Sequence, residues 1–579
     1  MYVRTFVNFI ARGEAKTWQS FRPCSAKTSK PSCDRQIFKR DEVPGPDQVK
    51  VLVSNDIDTE MVKFWAKIDS GFKSLRQPEV CANAGCIRGK YETGRIKPYE
   101  AFYGIPFAEP PVGKLRLENP VPYSGWKGYW DASYPRDDCY QRNYYLPGKP
   151  VSGSEDCLYL NVYRPNTWSS DKKLPVMVYI HGGSFASFSS HPRYFGPEYF
   201  MDNGEVILVT LNYRLGFLGF LCSEDGAVKG NFGLKDQQLA LEWVAKNIAS
   251  VGGDANAITL SGQSAGGAST QLHMLNSKSQ GLFHQSIIMS GNGIAPFVYP
   301  IDFASQFREA AKNVGLDDWK TASSYSLANQ LKKVDALKLV FAVDQTYAFN
   351  VTPPVPVRPC VEGHWDGAFL TEDPRKMWAE GRFKHKPILT GVTSDEELIN
   401  ALIVVNETIL QQFNAKLHDL LPIQIDFPPR HLNSVLKFYL NGQDYIDDSN
   451  KGQYLKSPYT ILKYTTETDL NLGVSHIDDL MFLFTMPPLF PVFDPDSPEG
   501  RMSDVYVRTF VNFIARGEAK TWRSFRPCTV KTSKPSCDRQ IFKRDEVPGP
   551  DQVKVLVSND IDTEMMKLWT EIDDALYIE

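Results

Sequence analysis

Apolar residues along this chain gather in short unbroken runs separated by longer amphipathic stretches. Leu174-Pro175-Val176-Met177-Val178-Tyr179-Ile180 is one such run and Val206-Ile207-Leu208-Val209-Thr210-Leu211 a second. Ala257-Ile258-Thr259-Leu260-Ser261 and Ile287-Ile288-Met289 follow the same pattern. Strands that show no polar alternate are buried on both faces, and helical segments between them are the signature of a parallel sheet covered on both sides. The expected class is therefore α/β, mostly parallel, from about residue 80 onwards. The run at 206–211 stops at Asn212 and Arg214, far short of a bilayer, so no membrane span is expected.

The two ends carry a different signal. Residues 2–69 recur almost unchanged at 506–573, Tyr2-Val3-Arg4-Thr5-Phe6 matching Tyr506-Val507-Arg508-Thr509-Phe510 and Trp65 matching Trp569. The unit reads as an amphipathic helix ending near Gly517, then a polar loop through Pro527 and Pro535. A strand near 553–557 and a helix through Met565, Leu568, Trp569 and Ile572 complete it. Two copies at opposite ends do not stack into a solenoid, and one core offers one slot for such a unit. The expectation is that 1–70 is a surplus appendage copying 505–573, and that 71–579 is the α/β domain.

Composition changes this picture little. The chain has 579 residues, 42% hydrophobic and 23% charged, with a formal net charge of -4, which supports a large core and leaves no electrostatic footprint for nucleic acid. Met1-Tyr2-Val3-Arg4-Thr5-Phe6 does not open a signal peptide, so the chain as it begins reads as cytoplasmic, with secretion the option should the natural start differ. The ten cysteines are too few for a dense disulfide framework in a chain this long, and Cys81 with Cys86 lacks the second ligand pair of a zinc site.

The candidate chemistry sits where the third run ends. Gly262-Gln263-Ser264-Ala265-Gly266 is G-x-S-x-G between a strand and a start of helix rich in small residues. In that context the glycines permit a turn too tight for side chains, and the turn raises the Ser264 hydroxyl above the sheet. His181-Gly182-Gly183-Ser184-Phe185 follows the first run, and its backbone N–H groups, with that of Ala265, suit an oxyanion hole. A hydroxyl nucleophile needs a base and an orienting acid, which in this architecture follow in the order Ser, acid, His. Thr393-Ser394-Asp395-Glu396-Glu397 offers acids after the apolar run Pro387-Ile388-Leu389, and Gly473-Val474-Ser475-His476 offers an imidazole further on.

At these residues the chain resembles the type-B carboxylesterase and cholinesterase family, especially its insect alpha-esterases, from about Val80 to the C-terminus. Glu155-Asp156-Cys157-Leu158-Tyr159-Leu160-Asn161-Val162-Tyr163 stands as the family's second signature, and Tyr103-Gly104-Ile105-Pro106, Asn212-Tyr213-Arg214-Leu215-Gly216 and Gly230-Asn231-Phe232-Gly233 are also family-like. The resemblance implies an α/β-hydrolase fold, hydrolysis of small-molecule carboxylic esters through an acyl-enzyme, and neither metal nor organic cofactor. It implies a triad of Ser264, Glu396 and His476, and an oxyanion hole of Gly183, Ser184 and Ala265 with Gly182 beside it. It also implies a disulfide between Cys139 and Cys157, and a structural ion pair of Arg214 with Asp236. Three departures stand out. Ser184 occupies a usual glycine position, Glu397 follows the triad acid where glycine is usual, and the stretch from Glu396 to His476 is shorter than the family pattern. The rival expectation is a catalytically impaired or non-catalytic binding or adhesion protein on the same scaffold, against which all three triad residue types are present.

Overall fold

The computed structural model describes residues 35–37, 52–54, 77–166, 168, 172–294, 298, 303–345, 357–393, 407–425, 429–450, 476–517, 539–544 and 553–558. The chain divides into two compact units, Met1–Arg76 and Gln77–Glu579. In the first, Arg35–Ile37 and Leu52–Ser54 pair antiparallel, Arg35 opposite Ser54 and Ile37 opposite Leu52. In the second, the repeated segment makes the same pairing, Arg539 opposite Ser558 and Ile541 opposite Leu556. Both copies of the repeat thus adopt one register. The strand Val553–Ser558 matches the sequence expectation, whereas Arg539–Arg544, with charges at both ends, gave no strand signal. The expected helix through 565–572 lies outside the described residues.

Among the described residues of the second unit, eight strands form the central sheet: β1 (Lys90–Thr93), β2 (Pro98–Pro106), β3 (Tyr159–Pro165), β4 (Leu174–Ile180), β5 (Ile207–Leu211), β6 (Gly253–Gln263), β7 (Gln285–Met289) and β8 (Ile388–Gly391). Their order is β8-β7-β6-β4-β5-β3-β2-β1. The five strands from β8 to β5 run parallel, and β3, β2 and β1 continue the sheet antiparallel. The parallel strands are those whose aliphatic runs are legible in the sequence. The antiparallel flank is not, because polar residues interrupt β2 and β3. Their polar groups are satisfied inside the fold: Asn161 accepts from Gly104 N–H at 2.9 Å and donates to the Ser190 carbonyl at 2.9 Å.

Side-chain alternation explains why the β4 run has no polar face. Val176, Val178 and Ile180 point into one apolar layer with Leu241 and Val244 of α2 (Phe232–Asn247) and Ala268 and Leu272 of α3 (Ala265–Leu275). Met177 and Tyr179 point the other way, into a layer with Phe200 of α1 (Glu198–Asn203) and Val507, Phe510 and Ile514 of α4 (Pro498–Arg516). Both faces of one strand are therefore core, and each fully buried branched or aromatic side chain contributes roughly 1.5–3 kcal/mol.

The last helix, α4, is delimited by its own residues. Ser497 caps it by accepting from Gly500 N–H at 2.9 Å, Pro498 occupies the first turn, and Gly517 closes it at φ 67. The C-terminal copy of the repeat thus supplies a helix that covers the sheet, ending where the sequence pattern placed it.

Candidate active site

Strand β6 ends at Gln263 and helix α3 begins at Ala265, so the reversal from strand to helix rests on Ser264 alone. Ser264 adopts φ 57 and ψ −125, outside the conformations an L-residue takes freely. The backbone holds it there: Ser264 N–H donates to the Met289 carbonyl at 2.8 Å, and its carbonyl accepts from Ala268 at 2.9 Å. Close approach explains the flanking glycines. A Cβ on Gly266 would lie 2.0 Å from the Ile180 oxygen, and one on Gly262 would lie 2.2 Å from the Gly266 oxygen. The Ser264 side chain stands at the N-terminus of α3, where the helix dipole favours negative charge.

The loop after β4 meets this turn. A Cβ on Gly182 would come within 3.0 Å of the Ser264 Cβ, so the two backbones are in contact. Gly183, Ser184 and Phe185 all have positive φ, at 100, 55 and 57. His181 fixes the loop's first peptide, its Nδ1 lying 2.8 Å from the Gly182 oxygen. A carbonyl only accepts, so Nδ1 carries the proton. The C=O and N–H of a trans peptide point in opposite directions, so the ring that holds the Gly182 oxygen aims the Gly183 N–H away from itself. The ring stacks on Tyr213 at 4.4 Å between centroids, and burial pushes its pKa down to about 4. Among the described residues, none accepts a hydrogen bond from the backbone N–H of Gly183, Ser184 or Ala265. Free donors of this kind beside a raised hydroxyl can receive an oxyanion.

Behind the turn lies a buried polar chain that no sequence motif announced. Ser269 Oγ donates to the Ala265 carbonyl at 2.8 Å and accepts from Gln237 Nε2 at 3.3 Å. The Gln237 oxygen is then left to accept from His273 Nε2 at 3.1 Å, which assigns the imidazole proton to Nε2 and leaves Nδ1 to accept from Ser279 Oγ at 2.9 Å. Burial pushes His273 down to about 3. The network suits a neutral ring, and it braces Ala265, the residue that follows Ser264.

These two imidazoles predict how stability depends on acid. In the unfolded chain a histidine takes a proton near pH 6.5, whereas His181 and His273 in the fold resist protonation down to about 4 and about 3. The unfolded state therefore binds more protons as pH falls below about 6.5, and stability is lost in that direction. Two such groups together steepen the loss to about 2.7 kcal/mol per pH unit between roughly pH 5.5 and 4. Urea midpoints measured across this range should fall more gently for His273→Gln than for the wild type. Parallel curves would contradict the assignment.

His476 is buried, 7% exposed, and begins a turn in which Leu480 N–H donates to the Ile477 carbonyl. The adjoining Ile477 packs in the same apolar layer as Tyr179 and Met289, residues at the C-terminal ends of β4 and β7. Glu396 and Glu397 fall at 394–406, outside the described residues, as does the stretch 451–475 leading to His476. Cys139 and Cys157 are joined, and so are Cys81 with Cys86 and Cys222 with Cys360. The last two bridges had no signal in the spacing of the cysteines. Arg214 and Asp236 form a bidentate pair at 2.8 and 2.7 Å. Tyr145, with its hydroxyl 2.6 Å from Ser184 Oγ, was also missed. It lies in an irregular segment with no period to mark it.

Comparison with known proteins places these features in context. A family model described as "Carboxylesterase family" matches residues 76–460. The chain is 34% identical to a juvenile hormone esterase of Tribolium castaneum over 81% of its own length and 89% of the relative's. It is 37% identical to venom carboxylesterase-6 of Apis mellifera over 63% of this chain and 65% of that one. Among solved structures, juvenile hormone esterase from Manduca sexta, with OTFP covalently attached, superposes with a TM-score of 0.69 at 25% identity, covering 86% of this chain and 100% of that one.

Proposed function

This chain belongs to the carboxylesterase family and is a carboxylic-ester hydrolase of α/β-hydrolase fold, and from that premise we propose that it works by acyl transfer through Ser264. In the first step Ser264 Oγ attacks the ester carbonyl while His476 takes its proton. The carbonyl π bond opens to an oxyanion that receives the N–H groups of Gly183, Ser184 and Ala265, with Gly182 giving the loop room beside the nucleophile. The bond to the alkoxy oxygen then breaks as His476 returns the proton to the departing alcohol. Water repeats the sequence on the acyl-enzyme and frees the acid. Glu396 holds the His476 tautomer and stabilises the imidazolium.

The observation that carries this reading is the backbone of Ser264, a non-glycine residue held at φ 57 on the N-terminus of α3. Local strain of that kind persists only where the surroundings over-determine it, and it concentrates at reacting groups. An organophosphate should add one equivalent per chain at the Ser264 Oγ. Labelling at another residue, or none, would overturn the proposal.

Two further readings share one experiment. Three disulfides persist best in an oxidising compartment, which favours secretion over the cytoplasmic location expected from the chain's first residues. Among the described residues no helix is long and apolar enough to cross a membrane. The repeat supports residues 1–70 as a surplus appendage to an enzyme unit of 71–579, since the α4 residues packed against the sheet, Val507, Phe510 and Ile514, come from the C-terminal copy. Residues 71–579 expressed into an oxidising compartment should fold, turn over esters and show no titratable thiol at Cys81, Cys86, Cys139, Cys157, Cys222 or Cys360. A product that does not fold counts against the appendage, and free thiols in a folded product count against the compartment.

A further inference from the structure

The loop after β4 places a non-glycine residue, Ser184, at φ 55. Glycine would take the positive φ at residue 184 freely, but serine resists it. Something must hold Ser184 in place, and among the described residues the side-chain partner of its hydroxyl is Tyr145, oxygen to oxygen at 2.6 Å. The phenol is itself fixed. Its ring stacks on Phe188 at 5.1 Å and 22°, and its backbone N–H donates to Asn143 Oδ1 at 3.1 Å. Burial pushes the phenol's pKa up, so it stays protonated and able to donate.

The segment that presents Tyr145 is stitched to the same loop. Gln141 Nε2 donates to the Phe188 carbonyl at 2.7 Å, Ser187 Oγ donates to the Arg142 carbonyl at 3.0 Å, and Tyr144 N–H donates to Ser187 Oγ at 3.3 Å. The bridge between Cys139 and Cys157 closes the segment covalently. Residues 141–145 and 184–188 are therefore tied by four hydrogen bonds, of which the Tyr145–Ser184 bond is the one made to Ser184 itself.

We propose that Tyr145 is a positioning residue for ester hydrolysis: by holding the Ser184 hydroxyl it keeps the Ser184 backbone in the conformation that aims its N–H at the oxyanion. This rests on the reading of Gly183, Ser184 and Ala265 as the oxyanion donors. The phenol acts through Ser184, its hydrogen-bond partner. Its contribution belongs to the transition state, where the oxyanion forms, and so to kcat rather than KM.

The test is a double-mutant cycle on a short-chain naphthyl ester, with thermal midpoints recorded alongside. Tyr145→Phe should lower kcat by about tenfold, the upper range for one hydrogen bond, and change KM less than about twofold. In a Ser184→Gly background the same change should cost less than about twofold, because the bond it removes is no longer there. Equal losses in both backgrounds, or no loss in the wild-type background, would overturn the proposal. Should Tyr145→Phe fail to fold, Ser184→Ala removes the bond from the other side and should show the same kcat loss; a kcat equal to wild type would refute it. Ser264→Ala is run in the same assay. Undiminished turnover there removes the active-site reading itself, a result distinct from any outcome at Tyr145.

Discussion

Ser264→Ala is expected to lower kcat for ester hydrolysis on the order of 10⁵- to 10⁶-fold while leaving the protein folded. The size follows from the proposed division of labour. Without the hydroxyl there is no acyl-enzyme, and the imidazole and the free N–H donors can only assist direct attack by water. Folding should survive because alanine tolerates the same backbone and removes one oxygen from a residue that is 8% exposed. The neighbouring backbone bonds, Ser264 N–H to Met289 and Ala268 N–H to Ser264, do not involve the side chain. Turnover of a naphthyl ester, an unchanged circular dichroism spectrum and loss of organophosphate labelling together make the measurement. A variant retaining even a tenth of wild-type kcat would mean that another group performs the attack.

The second large effect lies away from the chemistry. Asp236→Ala should destabilise the fold by about 3–5 kcal/mol, because it strands the Arg214 guanidinium in the interior. The pair is almost fully enclosed, 5% and 0% exposed by side chain. Asp236 also accepts from Arg214 N–H at 3.0 Å, and Arg214 Nη1 donates to the Glu118 carbonyl at 2.8 Å. Burial pushes the Asp236 pKa up even with Arg214 beside it, so desolvation offsets much of the attraction. Removing both charges with Arg214→Met and Asp236→Leu should therefore recover much of the loss. Denaturant midpoints decide the matter. A loss under about 1 kcal/mol for Asp236→Ala would show that water reaches the pair.

How much of this was legible beforehand depended on whether a single segment carried the signal. Strands β4 to β7 announced themselves because both faces are core and their runs are aliphatic. The antiparallel flank stayed hidden because Asn161 and Arg164 place polar groups in β3 that only tertiary partners explain. Ser264 was legible because its glycines and its strand are neighbours in sequence. His476 and Glu396 needed the family resemblance, since an imidazole or a carboxylate far along the chain has no local mark. The chain from Ala265 through Ser269, Gln237 and His273 to Ser279 draws on α2, on α3 and on the loop beyond. No spacing rule could have assembled it. The same holds for Cys222 with Cys360, and for Tyr145 meeting Ser184.

The conformation of Ser264 has a cost that reaches beyond chemistry. A residue kept in a sparsely populated region of backbone space stores on the order of 1–3 kcal/mol, which the rest of the fold must absorb. Alanine at that position would inherit the burden and glycine alone would shed it. Under the proposed acyl transfer, selection for turnover and selection for ruggedness pull in opposite directions at this one residue, and the packing of the rest of the fold is what offsets the strained turn.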